Sequence, residues 1–385
     1  MKPFAAVATT LPRSGIREIM ALSAAMEDVI HLEVGQPDFD TPEHIVEAAV
    51  RHVRAGQTRY VANAGVTELR QAAARYFERR TGVATGVEHV LVTPGAVMSV
   101  ATCFLAILEP GDEILLPDPG WPNYHMAASL VHARSVFYPL RPERQFLPTI
   151  EDLEERVSER TKLLLICTPS NPTGQVYDEQ MMAALMDFAR RRDLYVLSDE
   201  IYGEIAFDSE HVSALSYDED ERSIIVNGMS KAFAMTGFRV GFSRARPDYV
   251  ELATKLQEPF VSCGVGFAQL AAAEGLDGNR DCVERMRLEY RMRRDVALDV
   301  LRQHELFRYS PGGAFYLLID ISSTGMDSRE FALELLEKER VAVAPGNTFG
   351  AMCADHIRIS IASTPENVRQ GVERICRMIR SRSPA

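Results

Sequence analysis

Three residues with reactive side chains stand at or just after the end of short apolar runs. They are Asn171, Asp199 and Lys231, and Tyr202 and Ser230 stand close beside the last two. Continuous apolar runs predict strands that are covered on both faces, and ligands bind outside the carboxyl ends of such strands. The sequence therefore predicts one crevice that holds an amide, a carboxylate and an amine. Taken separately, Asn171 is also typical of a turn and Asp199 of a helix N-cap.

The amine of Lys231 is the candidate nucleophile. Only five of the 42 basic residues are lysines, and the other four are terminal, precede a strand or lie in charged helical sequence: Lys2, Lys162, Lys255 and Lys338. Lys231 stands among small and apolar residues, which lower the pKa of an amine and suit Schiff-base chemistry. A solvated surface lysine is the ordinary alternative. If the chemistry needs an amine, elimination favours Lys231.

Two features predict the binding of a phosphate group. Arg239 follows Lys231 by eight residues, and its guanidinium group matches the geometry of phosphate oxygens. Gly95 precedes a predicted helix, so the backbone N–H groups of Ala96 and Val97 can face an anion. Each feature also has a structural explanation, a salt bridge for Arg239 and an ordinary helix start for Gly95.

The predicted elements place these residues in an α/β protein. Strands that alternate with helices predict a mainly parallel sheet sandwiched by helices. The predicted strands are 89–93, 113–118, 162–168, 194–199, 223–228 and 239–243, with helices at 95–108, after 121 and at 178–192. Fewer strands (315–320, 341–345 and 356–361) and longer helices (279–304, 327–338 and from 364) predict a smaller α+β unit, which the loop-rich N-terminus joins. The predicted domains are therefore 46–278 for the large one, and 1–45 with 279–385 for the small one.

Composition excludes several classes of protein. The 385 residues include 42 basic and 54 acidic ones, a net charge of −12, which argues against nucleic-acid binding. No apolar run approaches 18 residues, and we expect neither a membrane span nor a signal peptide. Six scattered cysteines predict a cytoplasmic protein without a disulfide framework. The nine histidines lack metal-ligand spacing, so we expect no metal.

Several blocks of the sequence together resemble a known family. The motif S-K-x-x-A-M-x-G-x-R-x-G (230–241), with N-P-T-G and D-E-I-Y upstream, is similar to that of class I/II aminotransferases. These are pyridoxal-phosphate enzymes of fold type I, like aspartate aminotransferase. Further blocks of the resemblance are LEVGQPDFDTP (32–42), RYVANAGVTELR (59–70), VTPGAVMSV (92–100), DPGWPNYH (118–125), PGGAFYLLID (311–320), APGNTFG (344–350) and HIRISIA (356–362). The resemblance therefore covers nearly the whole chain.

The resemblance implies a role for each residue around the cofactor ring. Lys231 matches the lysine that bonds covalently to the cofactor and later moves a proton as general base and acid. Asp199 matches the carboxylate that pairs with the pyridine nitrogen, which makes the ring an electron sink. Asn171 and Tyr202 match the donors to the ring's phenolic oxygen. Trp121, the only tryptophan, matches the stacking aromatic, although a lone tryptophan is more often a packing residue.

The resemblance also implies how the cofactor's phosphate is bound. The backbone of Ala96 and Val97, the hydroxyl of Ser230 and the guanidinium of Arg239 match its ligands. Several members of the family place the phosphate-binding serine three residues before the lysine, where this chain has Gly228. Tyr60 matches a tyrosine that reaches the phosphate of the neighbouring subunit, which implies a homodimer.

For the substrates, the resemblance implies transfer of an amino group from an L-amino acid to a 2-oxo acid by a ping-pong mechanism. Arg358 matches the arginine that binds the α-carboxylate. Gly35 matches a glycine whose backbone approaches the substrate, and Trp121 and Asn171 also line that side. The usual acceptor in the family is 2-oxoglutarate. The substrate's side chain is not readable from sequence, although Arg13 and Arg17 offer cations in the N-terminal segment.

Two alternatives stay open at this point. Fold type I also includes β-lyases, decarboxylases and oxidases with the same cofactor shell, because a fold does not determine a reaction. A cofactor-binding sensor domain is a non-enzymatic alternative, but it needs a basic helix-turn-helix segment that this acidic sequence lacks.

Overall fold

The structure is a computed structural model that describes residues 1–12 and 15–383. The helices are α1 (Ala6–Thr10), α2 (Gly15–Ser23), α3 (Glu43–Arg54), α4 (Thr67–Thr81), α5 (Ala96–Ile107), α6 (Pro122–Leu130), α7 (Ile150–Glu154), α8 (Glu179–Arg191), α9 (Met229–Ala232), α10 (Pro247–Val261), α11 (Gly266–Asp277), α12 (Asp281–Gln303), α13 (Ser328–Glu339) and α14 (Pro365–Arg382). The strands are β1 (Ile30–His31), β2 (Val90–Thr93), β3 (Glu113–Asp118), β4 (Arg134–Pro139), β5 (Thr161–Cys167), β6 (Tyr195–Asp199), β7 (Ser223–Gly228), β8 (Gly241–Arg244), β9 (Tyr316–Asp320), β10 (Val341–Ala342), β11 (Ala344–Pro345) and β12 (His356–Ser360).

A seven-stranded sheet forms the centre of the large unit. Its strand order is β2-β8-β7-β6-β5-β3-β4, and every strand is parallel to its neighbours except β8, which runs antiparallel to both β2 and β7. The prediction of a mainly parallel sheet is confirmed. Cys167 pairs with Asp199 across β5 and β6, so the two strands end at the same level. The segments that follow β5, β6 and β7 therefore meet at one edge.

Both faces of this sheet are buried, as the continuous apolar runs predict. Along β5, Leu164 and Ile166 belong to one hydrophobic cluster, whereas Leu163 and Leu165 belong to the other. Successive side chains of a strand point to opposite faces, so each cluster lies on one side of the sheet. Helices cover both sides, which is the sandwich that the alternating pattern predicts.

A smaller unit combines the two ends of the chain. β9, β12 and β11 form an antiparallel sheet, and N-terminal β1 pairs in parallel with β10. The run 341–345, predicted as one strand, is divided between these two sheets as β10 and β11. The precise domain limits of 46–278 stay a prediction, and the first of them falls within α3.

β4 and α2 are two of the elements that the sequence analysis did not predict. β4 has no continuous apolar run, because it is an edge strand whose residues Arg134 and Phe137 are exposed. α2 lies in the N-terminal segment that looked loop-rich, and it contacts β10, β11 and α13. Within the described residues, no helix combines the length and the apolar character needed to span a membrane.

Candidate active site

A cavity of about 570 Å³ opens where β5, β6 and β7 end. It is lined by eleven of the twelve residues predicted for the site: Gly35, Ala96, Val97, Trp121, Asn171, Asp199, Tyr202, Ser230, Lys231, Arg239 and Arg358. The twelfth, Tyr60, lies outside this lining, and its side chain is 92% exposed. The folded chain therefore brings residues separated by more than 300 positions to one place.

Lys231 lies on α9, the short helix that follows β7. Its Nζ donates a hydrogen bond to the backbone oxygen of Gly35 at 2.6 Å. Burial lowers the pKa of Lys231 to about 8, and the positive charge of Arg358 adds to this effect, whereas Asp199 opposes it. Three other lysines form surface ion pairs with acidic residues: Lys162 with Asp112, Lys255 with Glu251 and Lys338 with Glu334. Lys231 is thus the lysine whose environment favours a neutral, nucleophilic amine.

Asp199 supplies a buried carboxylate opposite this amine, and it is only 4% exposed. Its Oδ2 accepts a hydrogen bond from the Tyr124 hydroxyl at 2.6 Å, and its Oδ1 accepts one from the backbone N–H of Ile201 at 3.2 Å. Burial raises the pKa of Asp199, and the Tyr124 hydrogen bond works against that rise. Within the described residues it has no ion-pair partner at hydrogen-bonding distance. A cationic ligand in the cavity would stabilise its charge.

Arg358 lies in β12 and is 1% exposed. Its guanidinium donates to the side-chain oxygen of Asn171 at 3.1 Å and to the backbone oxygen of Glu33 at 2.5 Å, while its Nε has no partner in the described chain. These acceptors are neutral, and no carboxylate of the described residues forms an ion pair with Arg358. A buried cation with a free N–H group is suited to bind a carboxylate ligand in a charge-assisted manner. Because Arg358 donates to the Asn171 oxygen, the amide nitrogen of Asn171 remains a donor.

The cavity lining includes groups that can bind an anion. Ala96 and Val97, the first two residues of α5, line it together with Arg239, and the N–H groups of a helix's first turn have no partner within the helix. The chain packs tightly here, because a Cβ atom on Gly95 would lie 2.2 Å from Nη2 of Arg239. Gly95 also has φ +78°, a conformation that favours glycine. The Ser230 hydroxyl lines the same cavity and makes no hydrogen bond within the described chain.

Sequence reasoning missed several residues of the lining. Tyr124 and Tyr316 lie within the sequence blocks DPGWPNYH and PGGAFYLLID. The residue type tyrosine does not indicate which distant residue its hydroxyl contacts. Tyr316 packs its hydroxyl against that of Tyr202 at 2.8 Å. Arg17 also lines the cavity, from α2. Arg13 lies outside the described residues.

Comparisons with known proteins agree over almost the full chain. Residues 27–375 match the family model for "Aminotransferase class I and II". The chain is 39% identical to the aspartate aminotransferase of Pyrococcus horikoshii over 95% of its own length and 94% of the relative's. It is 37% identical to the aspartate/prephenate aminotransferase of Thermus thermophilus, covering 98% and 97% of the two chains. The solved structure of the Thermus thermophilus aspartate aminotransferase with maleate superposes with a TM-score of 0.93 at 35% identity, covering 98% of this chain and all of that one.

Proposed function

This chain belongs to the class I and II aminotransferases and is a transaminase, and we propose that it works with pyridoxal 5′-phosphate on an L-amino acid and a 2-oxo acid. The observation that carries the proposal is the arrangement of three charged groups in one cavity. Lys231 has a lowered pKa, Asp199 is a buried carboxylate, and Arg358 is a buried cation with no carboxylate partner among residues 1–12 and 15–383. An amine nucleophile, a site for a cationic ring nitrogen and a site for a carboxylate are the groups that transamination requires.

The residues present fit this cofactor. Asp199 offers its carboxylate to a protonated ring nitrogen. Burial raises the pKa of Asp199, and a cation bound beside it would stabilise the charged carboxylate. Asn171 and Tyr202 offer donors to the ring oxygen, and Trp121 offers its ring for stacking. The N–H groups of Ala96 and Val97, with Arg239 and Ser230, would hold the phosphate. When bound, pyridoxal phosphate supplies an electron sink that acidifies the α-carbon of an amino acid.

Lys231 is the proton carrier of the proposed reaction. With a pKa of about 8, a fraction on the order of one tenth of the amines is neutral at pH 7. The neutral Nζ accepts the proton from the substrate's α-carbon, and the same nitrogen returns a proton later in the cycle. The backbone oxygen of Gly35 holds this nitrogen at 2.6 Å and so orients it. The segment around Gly35 would also exclude water from the reacting atoms.

Substrate recognition depends on arginines. Arg358 would bind the α-carboxylate that amino acids and 2-oxo acids share. Arg17 lines the same cavity, and it has no ion-pair partner within residues 1–12 and 15–383. We propose that it meets the second carboxylate of a dicarboxylic substrate, which supports 2-oxoglutarate as the amino acceptor. A ping-pong mechanism follows, because donor and acceptor would use the same Arg358 in turn.

The active unit that we propose is a cytoplasmic homodimer. Tyr60 is an aromatic residue that is 92% exposed. Phe260 and Val265 are exposed apolar residues on either side of Cys263, whose sulfur accepts a hydrogen bond from the backbone N–H of Val61, the residue after Tyr60. Exposed apolar surface of this kind favours a protein interface. Tyr60 would then reach the phosphate of the second subunit. All six cysteines are free, which supports a reducing compartment.

The test is a cofactor-binding experiment followed by an acceptor assay. The purified protein with pyridoxal phosphate should be yellow, and reduction with borohydride should attach the cofactor permanently to Lys231. An amino-donor panel with 2-oxoglutarate should then form glutamate, and initial rates against donor at several acceptor concentrations should give parallel double-reciprocal lines. Release of ammonia without an acceptor would instead identify a lyase or an oxidase.

A further inference from the structure

Tyr316 occupies the point where three parts of the cavity meet. It begins β9 and is 2% exposed. Its hydroxyl lies 2.8 Å from the hydroxyl of Tyr202, and the guanidinium carbon of Arg358 lies 4.3 Å from the centre of its ring. The backbone of Gly35 closes the third side, because a Cβ atom there would lie 2.1 Å from the Tyr316 oxygen. One side chain thus contacts the ring-oxygen donor, the carboxylate-binding arginine and the backbone that holds Lys231.

The direction of the hydroxyl pair depends on what else Tyr202 binds. Each phenol carries one proton, and either oxygen of the pair can donate to the other. When Tyr202 donates its proton to an acceptor in the cavity, its oxygen can still accept, and Tyr316 is then the donor of the pair. Burial raises the pKa of both tyrosines, and the Arg358 guanidinium against the ring of Tyr316 counteracts the rise there, which agrees with this direction.

The guanidinium of Arg358 is held mainly by rings and neutral acceptors. Tyr316 and Phe349 both contact it, with the ring centre of Phe349 4.8 Å from the guanidinium carbon. Because no carboxylate of the described residues pairs with Arg358, the cation–π contact with Tyr316 is one of the few attractions that fix its orientation. Tyr316 is paired with Ser360 in β12, two residues from Arg358, so the strand register sets this contact.

We propose that Tyr316 is a positioning residue whose hydroxyl directs the Tyr202 proton to the cofactor's ring oxygen and whose ring orients Arg358 for the substrate carboxylate. The role rests on the proposed function, because it requires that cofactor and that carboxylate as ligands. The two effects reside in different atoms of one side chain. Tyr316→Phe removes the first effect and keeps the second, whereas Tyr316→Leu removes both.

The first measurement is the pH midpoint of the absorbance change of the cofactor-loaded protein. A donor to the ring oxygen favours its anionic form, so Tyr316→Phe should raise this midpoint by about 0.5 to 1 pH unit. The KM for the amino acid should change by less than about twofold, since the ring against Arg358 is retained. The matched control is Tyr138→Phe, which also removes a buried hydroxyl with a 2.8 Å hydrogen bond, here to the backbone oxygen of Leu165 in the central sheet. Its midpoint should equal that of the wild type.

The second measurement separates the ring from the hydroxyl. Tyr316→Leu should raise the KM for amino and oxo acids by about tenfold over Tyr316→Phe, because the cation–π contact is lost. The third is a double-mutant cycle on the midpoint. In a Tyr202→Phe background, Tyr316→Phe should cause no further shift.

The outcomes distinguish a failure of the role of Tyr316 from a failure of the proposed function. A Tyr316→Phe midpoint equal to that of the wild type, or a shift that is fully additive with Tyr202→Phe, overturns the positioning role while leaving the transaminase intact. A wild-type chain that shows no cofactor absorbance refutes the proposed cofactor and this role with it. The Phe variants and the Tyr138→Phe control decide the hydroxyl's role even if Tyr316→Leu does not fold.

Discussion

The buried amine of Lys231 makes the stability of the cofactor-free protein depend on pH in a specific way. Its folded-state pKa of about 8 lies below the ordinary lysine value of about 10.4 in an unfolded chain. Between these values the unfolded chain binds more protons than the folded one, so stability rises with pH. The destabilisation is complete below pH 8 and disappears as the pH approaches the unfolded value. Replacing Lys231 by methionine, which cannot titrate, removes this dependence.

The magnitude follows from the two pKa values. The free energy of unfolding of the wild type, measured relative to that of Lys231→Met, should increase by about 2 kcal/mol between pH 7 and pH 9.5. Taking the difference between the two proteins cancels the titration of all other groups. It also cancels the loss of the Gly35 hydrogen bond, provided that this bond is equally strong at both pH values.

The assay is urea unfolding of both cofactor-free proteins at several pH values. Lys255→Met serves as the control, because that lysine is exposed and paired with Glu251, and its difference from the wild type should stay flat. Lys231→Met should also lack measurable turnover, which links the titrating amine to the reaction. A wild-type minus Lys231→Met difference that is constant from pH 7 to pH 9.5 would refute the argument that burial lowers the pKa of this amine.

Four further predictions address the remaining parts of the site. Arg358→Gln should raise the KM for amino and oxo acids alike by about 100-fold, since charged hydrogen bonds to a carboxylate are lost; Arg308→Gln, which breaks an exposed pair with Asp320 and hydrogen bonds to the backbone oxygens of Glu305 and Phe307, should leave KM unchanged. Asp199→Asn should lower kcat at least about 100-fold, as expected when one partner of a buried charge pair is removed, and an unchanged kcat would exclude Asp199 from the cofactor site. Gly35→Ala should destabilise the protein by about 1 to 3 kcal/mol in urea unfolding through its clash with Tyr316, whereas Gly237→Ala, with open space at its Cβ, should not. Mixing Tyr60→Ala with Lys231→Met should restore activity above that of either variant alone if subunits share sites; activity that stays at the sum of the two would argue against a shared site.

Much of the large unit was predictable from local sequence. The run at β5 predicted its strand because a strand buried on both faces must be apolar at nearly every position. The long charged helix α12 was also predictable from local sequence, because residues in a helix recur with a characteristic period. β4 was not, because it is an edge strand whose first four residues are exposed or only partly buried, and such a strand needs no continuous apolar run. The division of 341–345 between two sheets also depended on partners far away in the chain.

The candidate site was likewise only partly predictable from the sequence. Sequence alone determined which residue types were available: one lysine in apolar surroundings, a carboxylate at a strand end, and the motif that joins Lys231 to Arg239. Their partners were decided only by the tertiary structure. Tyr124 meets Asp199 from a position 75 residues earlier, and Tyr316 meets Tyr202 from 114 residues later. Such contacts depend on strand register and on the direction of side chains across packed elements, and neither is encoded in the spacing of a motif.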